Sequence, residues 1–595
     1  MAVVVGIDLG TTNTAFSFIE NGEPKIIPNL DGDSVTPTVL ALGDDVLIGR
    51  AAKRQLQLYP KTTIHSSKRF IGRPFSEARS GFSLVNYDMV ENQQGECSIV
   101  VEDEEYTPQE IAATILRDLK KQMEEYLQDE ILEAVITVPA YFDDQMRQAT
   151  KDAGMLAGLD ILRIINEPTA AALAYSSSIK GRKKIVVYDF GGGTFDISIL
   201  EMESDFAHVK ATRGDNALGG NDIDLSLTNF VCDRFLAEHE IDLRKDPISL
   251  QRIQDEAERV KCELSSVHSS RIYLPFIYSD MEKGALNLEM KITRDELDEL
   301  IEEIVRTTIT ECEKALADAK LSAADIDEVI LVGGSSRIPL IHTELKKLFS
   351  CRLNRSVNPD EVVALGAAIQ AGMLSGDSAQ SVVLLDVTPF SLGIEEQGGY
   401  FKPLIHRNTS IPTEVKRQAT TVIDNQRTIK IHILQGESDI AAENTSLGEF
   451  ELTNIAPANR GIPKIDIRIS IDSNGIVKVS ATDTRSGRKE QIKIERSRIL
   501  SDEAKKRAER KVKEVANPLD VLRRQIQEQL GELIQFVEEH DAVIEEAYKT
   551  NISELHRRAT VIIGKTDKTE ILYRLLDSIN VIHNDLQDHT RPKIE

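Results

Sequence analysis

From its start to about residue 376, the chain alternates short β-branched runs with helical stretches: VVVGID, EAVITVPA, KKIVVYDF and DEVILVGG are separated by segments such as QEIAATILRDLKKQMEEYL. That alternation predicts an α/β layered region. After residue 394 the period shortens to two. In TIKIHIL the residues Ile429, Ile431 and Ile433 share one face, and in KIDIRISID so do Ile465, Ile467, Ile469 and Ile471. Ser473-Asn474-Gly475 supplies a tight turn before IVKVSA, and QIKIE follows, which predicts an antiparallel β module of roughly 100 residues. From Ser501 the pattern turns helical: SDEAKKRAERKVKEVA opens on a good N-cap, and Asn517-Pro518 restarts a second helix.

One apolar run falls between these textures. VVLLDVTPFSLGIE, residues 382 to 395, follows the polar SGDSAQS, so four aliphatics, Val382 to Leu385, and then Asp386 stand where a connection is expected. Read by itself the run is an ordinary buried strand.

The chain is 595 residues long, which calls for three or four folding units, and its 41% hydrophobic and 28% charged residues are those of an ordered soluble protein. A net charge of −26 repels phosphate backbones and anionic lipid, so neither nucleic acid nor membrane is expected as a partner. The five cysteines lie far apart without a CxxC pair and read as reduced thiols. No segment approaches the ~20 apolar residues of a membrane span, and MAVVVGIDLG has no leader pattern, so a cytoplasmic location is expected.

Chemistry concentrates in two related segments, GIDLGTTNT (6 to 14) and YDFGGGTFD (188 to 196). Each ends an apolar strand in Asp and turns through Gly and Thr into another strand-like run. Glycines let backbone amides approach a phosphate, Thr hydroxyls add donors, and strand-end carboxylates hold Mg²⁺ through water. A single such turn is more often a plain glycine hairpin; two copies imply a duplicated fold facing across a cleft. A third turn, ILVGGSSRIP (330 to 339), leads into a helix whose N-terminus suits an anion. Neither GxxxxGK[ST] nor GxGxxG occurs.

In this order, GIDLGTTNT, KRFIGR, VITVPAYFDDQMRQATKDAG, IINEPTAAALAY, YDFGGGTFDISIL, LGGNDID, ILVGGSSRIP and NPDEVVALGAAIQAG resemble the ATPase domain of the heat-shock-70 chaperone family. LLDVTPFSLGIE, NTSIPT and ILQGE extend the likeness into a peptide-binding half. The resemblance implies a multidomain protein: an actin-like nucleotide-binding domain with duplicated RNase H-like lobes (1–378), a linker (379–393), a β-sandwich (394–498) and a helical lid (499–595), shorter than in general chaperones. It implies an ATPase that uses ATP/ADP and Mg²⁺ to capture and release unfolded or extended polypeptide, helped by a J-domain co-chaperone and a nucleotide exchange factor.

Site residues carry over by the same likeness. Gly10, Thr11, Thr12 and Asn13 fall in the first phosphate loop and Gly192, Gly193 and Thr194 in the second; Asp8 and Asp189 would orient the waters of Mg²⁺. Lys68 would reach the terminal phosphate, although a Lys-Arg pair by itself reads as a solvated patch. Glu167 would order water and couple the site to Pro139, with Thr194 and Asp196 completing the hydrolytic group. Adenosine would lie against Glu258, Lys261, Ser265, Gly334, Ser335, Arg337 and Asp360. On spacing alone, Glu258, Lys261 and Ser265 form an exposed helical stripe, and Cys262 replaces a longer side chain at the adenine wall.

Ile394, Gln397, Val422, Ile429 and Ile431 would line the peptide channel, although apolar residues at alternating strand positions are usually core. Gln397 and Ala419 depart from the family's apolar and aromatic arch, and Arg460 resembles a lid latch. Arg163, Val382, Leu384, Leu385 and Asp386 would couple the domains, a J-domain partner touching Arg163, Asn166 and Thr169. The rival from another class is an actin-fold small-molecule kinase, which has no need of residues 394 to 595.

Overall fold

Strand and helix alternate through the first 376 residues to build two sheets on one plan. The computed structural model describes residues 3–484 apart from 44–45, 177, 281–282, 356, 379–381 and 397, together with 489–493, 502–515 and scattered positions between 526 and 579. The first sheet runs Asp160–Asn166, Ile131–Val138, Val3–Leu9, Asn13–Glu20, Glu23–Ile27, with Thr36–Pro37 paired to Asn13–Glu20. Its first three strands are parallel and the remainder antiparallel. In the second sheet, Arg352–Asn354, Glu328–Val332 and Lys183–Phe190 are parallel, and Phe195–Glu203 and Phe206–Asp215 continue antiparallel. The duplication inferred from the two glycine turns is therefore present strand by strand.

Two helices press the sheets together. Glu167–Ser176 and Val362–Ser375 cross where a side chain at Gly366 would strike the Ala170 carbonyl. Behind them, Gly6 lies so close to Ala368 that no side chain fits, and Ser17 Oγ donates to the Ala364 carbonyl at 2.6 Å. Small residues at this crossing bring the ends of both central strands to one cleft.

The apolar run finds its place on the second sheet. Val383–Val387 pairs in parallel with Phe206–Asp215, in the register Phe206↔Val383, Ala207↔Leu384, His208↔Leu385, and then antiparallel with Ser410–Ile411. Val382 and Val387 are 4% and 1% exposed within the apolar core that also holds Val187, Val209 and Ala367, and Leu384 packs against it. Leu385 is half-buried. Val383, 58% exposed, faces out, as strand alternation requires.

Beyond it, two four-stranded antiparallel sheets follow. One is ordered Tyr400–Ile405, Leu392–Glu396, Ile429–Gln435, Thr445–Leu452, the other Thr413–Ala419, Ile465–Ile471, Val477–Asp483, Lys489–Lys493. Ile465, Ile467, Ile469 and Ile471 are all buried and share one core with Leu392, Ile431, Ile433 and Val479. Gly475 takes φ 78°, and its N–H closes the turn on the Asp472 carbonyl. Asp502–Val515 is helical as its sequence predicts, while Ser501 and Asn517-Pro518 lie outside the described residues. Residues 509–595 form a unit of their own, where Ile526, Leu530, Leu533, Ile552, Ala559, Leu575 and Ile579 make an apolar cluster. No described helix is long and apolar enough to cross a membrane.

Candidate functional site

The glycine turns interlock at the floor of the cleft. A side chain at Gly192 would strike Thr12 Oγ1, and one at Gly193 would meet Thr11 at 2.6 Å, so only glycine lets the two turns face each other this closely. Gly10 is pinned by the Thr38 hydroxyl, which donates to its carbonyl at 3.0 Å. Gly333 takes φ 77° against the Phe190 carbonyl, and Ser335 Oγ donates to the Gly191 carbonyl at 3.0 Å. Three strand ends thus converge on a cleft of about 720 Å³.

Of the residues expected there, Asp8, Gly10, Thr11, Thr12, Asn13, Lys68, Glu167, Asp189, Gly192 and Thr194 line its inner end. Glu258, Lys261, Ser265, Gly334, Ser335, Arg337 and Asp360 line its outer end, with Cys262 beside them. Gly193 and Asp196 stand just behind the lining. Asp196 sits directly across the strand pair from Asp189 and accepts the Tyr141 N–H at 3.0 Å.

Charge at the inner end is concentrated and buried. Lys68 Nζ meets Glu167 Oε1 at 2.6 Å, with 4% and 11% of the two side chains exposed. The solvated patch expected of a Lys-Arg pair is therefore corrected: Lys68 and its neighbour Arg69 are both core residues, because each has an acid to face. Burial, then Glu167, raises the Asp8 carboxyl to about 7, against the pull of Lys68 and of the Thr137 hydroxyl, which donates at 3.0 Å. Burial and the neighbouring Glu167, Asp196 and Asp8 push Asp189 well above the carboxylate range. Asp196 rises to about 8, from burial and Glu167. Four carboxyls around one ammonium are a surplus of negative charge that suits a divalent cation. Among the described residues no cluster of three or more His, Cys, Asp or Glu is arranged to ligate a metal directly.

The outer end is tied across the cleft where Lys53 Nζ bonds Glu258 at 2.8 Å and Gln57 bonds Asp255 at 2.7 Å; within the second half, Lys261 Nζ bonds Asp224 at 2.7 Å and the Gly220 carbonyl at 3.2 Å. The exposed stripe that spacing alone suggested is corrected at Lys261, which is 8% exposed because Asp224 receives it. Arg337 pairs with Asp360 at 2.6 Å. Asp224, Asn221, His342 and Arg355 also line the cleft and carried no signal beyond the motif LGGNDID.

A second polar cluster surrounds the docked strand. Asp386 accepts from Asn166 Nδ2 at 2.8 Å, Thr169 Oγ1 at 3.0 Å and the Val387 N–H at 2.8 Å. Arg147, buried and unremarked in the sequence, donates to the Ala140 and Phe142 carbonyls and, at 2.7 Å, to Asn166 Oδ1. Arg163 bonds Gln370 at 3.1 Å and is drawn by the charge of Asp386. Asn166 and Thr169 are 3% and 1% exposed, and in this arrangement both donate to Asp386. Pro139 ends the strand leading to Tyr141, whose ring meets Phe390 at 4.4 Å between centroids.

The β module is fastened to the same side. Val477 N–H donates to Asp144 at 2.7 Å, Ile164 N–H to Asn474 Oδ1 at 3.0 Å, and Arg407 Nη2 to Asp318 at 2.7 Å. Of the expected channel residues, Ile394 and Ile431 belong to the apolar core, Ile429 packs against it, and Gln397 lies outside the described residues. Val422 is 60% exposed, with Ile423 at 62% and Ile462 at 57%. Their two loops are joined where the Gly461 N–H donates to the Thr421 carbonyl at 3.0 Å. Ile423 and Ile462 carried no periodic signal, being loop residues.

The model of the Hsp70 protein family matches residues 4–588, nearly the whole chain. Members of that family are ATPases with a chaperone role that bind ATP or ADP, typically with Mg²⁺.

Proposed function

Because this chain belongs to the Hsp70 family, we propose that it hydrolyses ATP in the cleft and uses the ATP and ADP states to release and hold extended polypeptide on its β module. The repeated sheet plan suits an actin-like ATPase of two RNase H-like lobes, residues 1–378. Residues 379–393 act as linker, 394–498 as the peptide-binding module and 499–595 as lid.

The polyphosphate lies against Gly10–Asn13 and Gly192–Thr194, where the interlocked turns present backbone amides and Thr hydroxyls. Lys68 faces the terminal phosphate, and Glu167, fixed by that lysine, orients the attacking water with Asp196 and Thr194. Asp8 and Asp189 would hold a Mg²⁺ through water, and the ion would supply neutralisation of the phosphate charge when bound. Positioning and electrostatics then suffice without a covalent nucleophile. The adenosine rests at the outer end between Glu258, Lys261 and Ser265 on one wall and Gly334, Ser335, Arg337 and Asp360 on the other. Client polypeptide meets the sandwich at the exposed Val422, Ile423 and Ile462, near the strand ends of Ile394, Ile429 and Ile431. A J-domain co-chaperone reaches Arg163, the half-buried member of its cluster, and an exchange factor opens the outer ties.

One observation carries the coupling. The strand Val383–Val387 extends the sheet that carries Asp189 next to the end of Lys183–Phe190, and its Asp386 is held by Asn166 and Thr169, neighbours of Glu167. Nucleotide and client therefore bias one element, and each must alter the affinity of the other. A small-molecule kinase on the same core needs a hydroxyl acceptor beside Asp189 and gives this strand no task. Single-turnover hydrolysis by the full chain, with and without an extended Leu-rich peptide, tests the reading. Peptide is expected to speed hydrolysis and ATP to speed peptide release; independence of the two overturns it.

A further inference from the structure

The turn bearing Lys68 is held from the opposite half of the cleft. Lys68 lies on the short helix Ser67–Phe70, entered through Ser66, which takes the left-handed φ of 55°. A non-glycine residue holds that conformation only where its surroundings enforce it. Ser66 Oγ accepts Asn221 Nδ2 at 2.9 Å. Two residues after Lys68's own hydroxyl-bearing neighbour, Arg69 is 2% exposed and grips Asp222 with both guanidinium nitrogens, at 2.9 and 3.2 Å, and also donates to the Ala217 carbonyl.

Asn221 and Asp222 form the first turn of the helix Gly220–His239, which belongs to the second half. That same turn is bolted to the second glycine loop. The Gly220 N–H donates to the Gly191 carbonyl at 2.9 Å and the Asn221 N–H to the Gly192 carbonyl at 2.8 Å. Asp222 also accepts the Gly219 N–H at 2.7 Å, so one carboxylate caps the helix and holds Arg69. Backbone bonds fix the turn to Gly191–Gly192 and side chains fix it to Ser66 and Arg69, which flank Lys68.

We propose that Asn221 and Asp222 are positioning residues: they set Lys68 against the second phosphate loop, so hydrolysis proceeds only while the two halves are clasped. This rests on the ATPase reading of the cleft. A group displaced by about 1 Å loses up to roughly a hundredfold in rate while binding survives, and Lys does not replace Arg at a two-pronged contact.

The test uses the full chain and five variants: Asn221→Ala, which leaves no charge unpaired, Arg69→Lys, Asp222→Asn, Asp222→Glu and the double Arg69→Lys/Asp222→Asn. Single-turnover hydrolysis, ATP affinity and melting temperature are read for each. The expected result is a fall of about tenfold to a hundredfold in hydrolysis for both Asn221→Ala and Arg69→Lys, with affinity changed by less than about threefold. The double variant should be no slower than the worse single one, as for two members of one contact. Asp222→Glu, which keeps the charge, should recover part of the rate. Wild-type hydrolysis in Asn221→Ala and Arg69→Lys overturns the clasp, as does a loss that follows affinity or melting temperature alone. Absence of hydrolysis in the wild-type chain overturns the ATPase reading first, and the clasp with it.

Discussion

The cleft and the seam around the docked strand both bury acids, yet they handle them in opposite ways. At the seam the two buried carboxylates nearest the docked strand and the sandwich turn are answered by neutral donors. Asp386 has Asn166, Thr169 and a backbone N–H, and Asp144 has the Val477 N–H. In the cleft Asp8, Asp189 and Asp196 crowd one another and Glu167 beside a single Lys68, and their carboxyls are pushed upward together. Neutral donors make a contact that can form and part without stranding a full charge, whereas crowded acids make a site that favours a cation. On the proposed reading the seam serves to switch and the cleft to bind.

The sharpest way to break that contrast is to remove the one ammonium among these acids. Lys68→Ala leaves Glu167 facing three aspartates, and hydrolysis is expected to fall about a thousandfold, the scale of losing one electrostatic group at a developing charge. Single-turnover measurement against nucleotide affinity checks it. A loss under tenfold would make Lys68 a structural ion pair and not part of the hydrolytic group.

The seam answers to a smaller change. Asp386→Ala strands the Asn166 amide and the Thr169 hydroxyl, both buried, at about 2 kcal/mol or roughly thirtyfold in docking. Residues 379–391 of the variant are expected to be cut by protease whichever nucleotide is bound, and peptide should no longer speed hydrolysis. In the wild type, cutting is expected with ADP and not with ATP. Equal protection of variant and wild type would show that the apolar Val382, Leu384 and Val387 dock the strand unaided.

These two regions were unequally legible. Glycine turns and strand-end acids announce themselves because tight approach and strand exit are local demands, and Asp8, Thr11, Gly192 and Asp189 fell where expected. The sandwich face of Ile465 to Ile471 was equally plain from its period of two. Arg147 was not, since an Arg in QMRQATKDAG looks like any helical arginine until Asn166 arrives from another strand. Lys261 was misread by spacing for the same reason: its partner Asp224 lies on a different helix. Val422, Ile423 and Ile462 are loop residues, and loops carry no periodicity to read. VVLLDV read as a buried strand, which is its state here; the linker role proposed for it rests only on what lies on each side.

A milder perturbation sharpens the comparison without deleting anything. Burial raises the Asp144 carboxyl to about 7, helped by Asp143 and Asp472, while the Val477 N–H and Arg147 pull it back. Freed from the β module, its carboxyl would return toward the ordinary value near 3.8. Between these values the docked form binds a proton that the undocked form has released, so docking gains as pH falls through 7 and loses as pH rises through it. From pH 8 to pH 6 the gain is about tenfold at most, about 1.4 kcal/mol for one unit below the docked value. Asp144→Asn keeps an oxygen for the Val477 N–H but cannot titrate. Its docking, followed by protease protection of residues 379–391 at pH 6, 7 and 8, should stay level across that range and exceed the wild type most at pH 8. Asp143, raised to about 6 by burial, lies beside Asp144 and stays titratable in the variant. A slope that survives in Asp144→Asn would therefore assign the dependence to Asp143 or Asp472 and take Asp144 out of the switch.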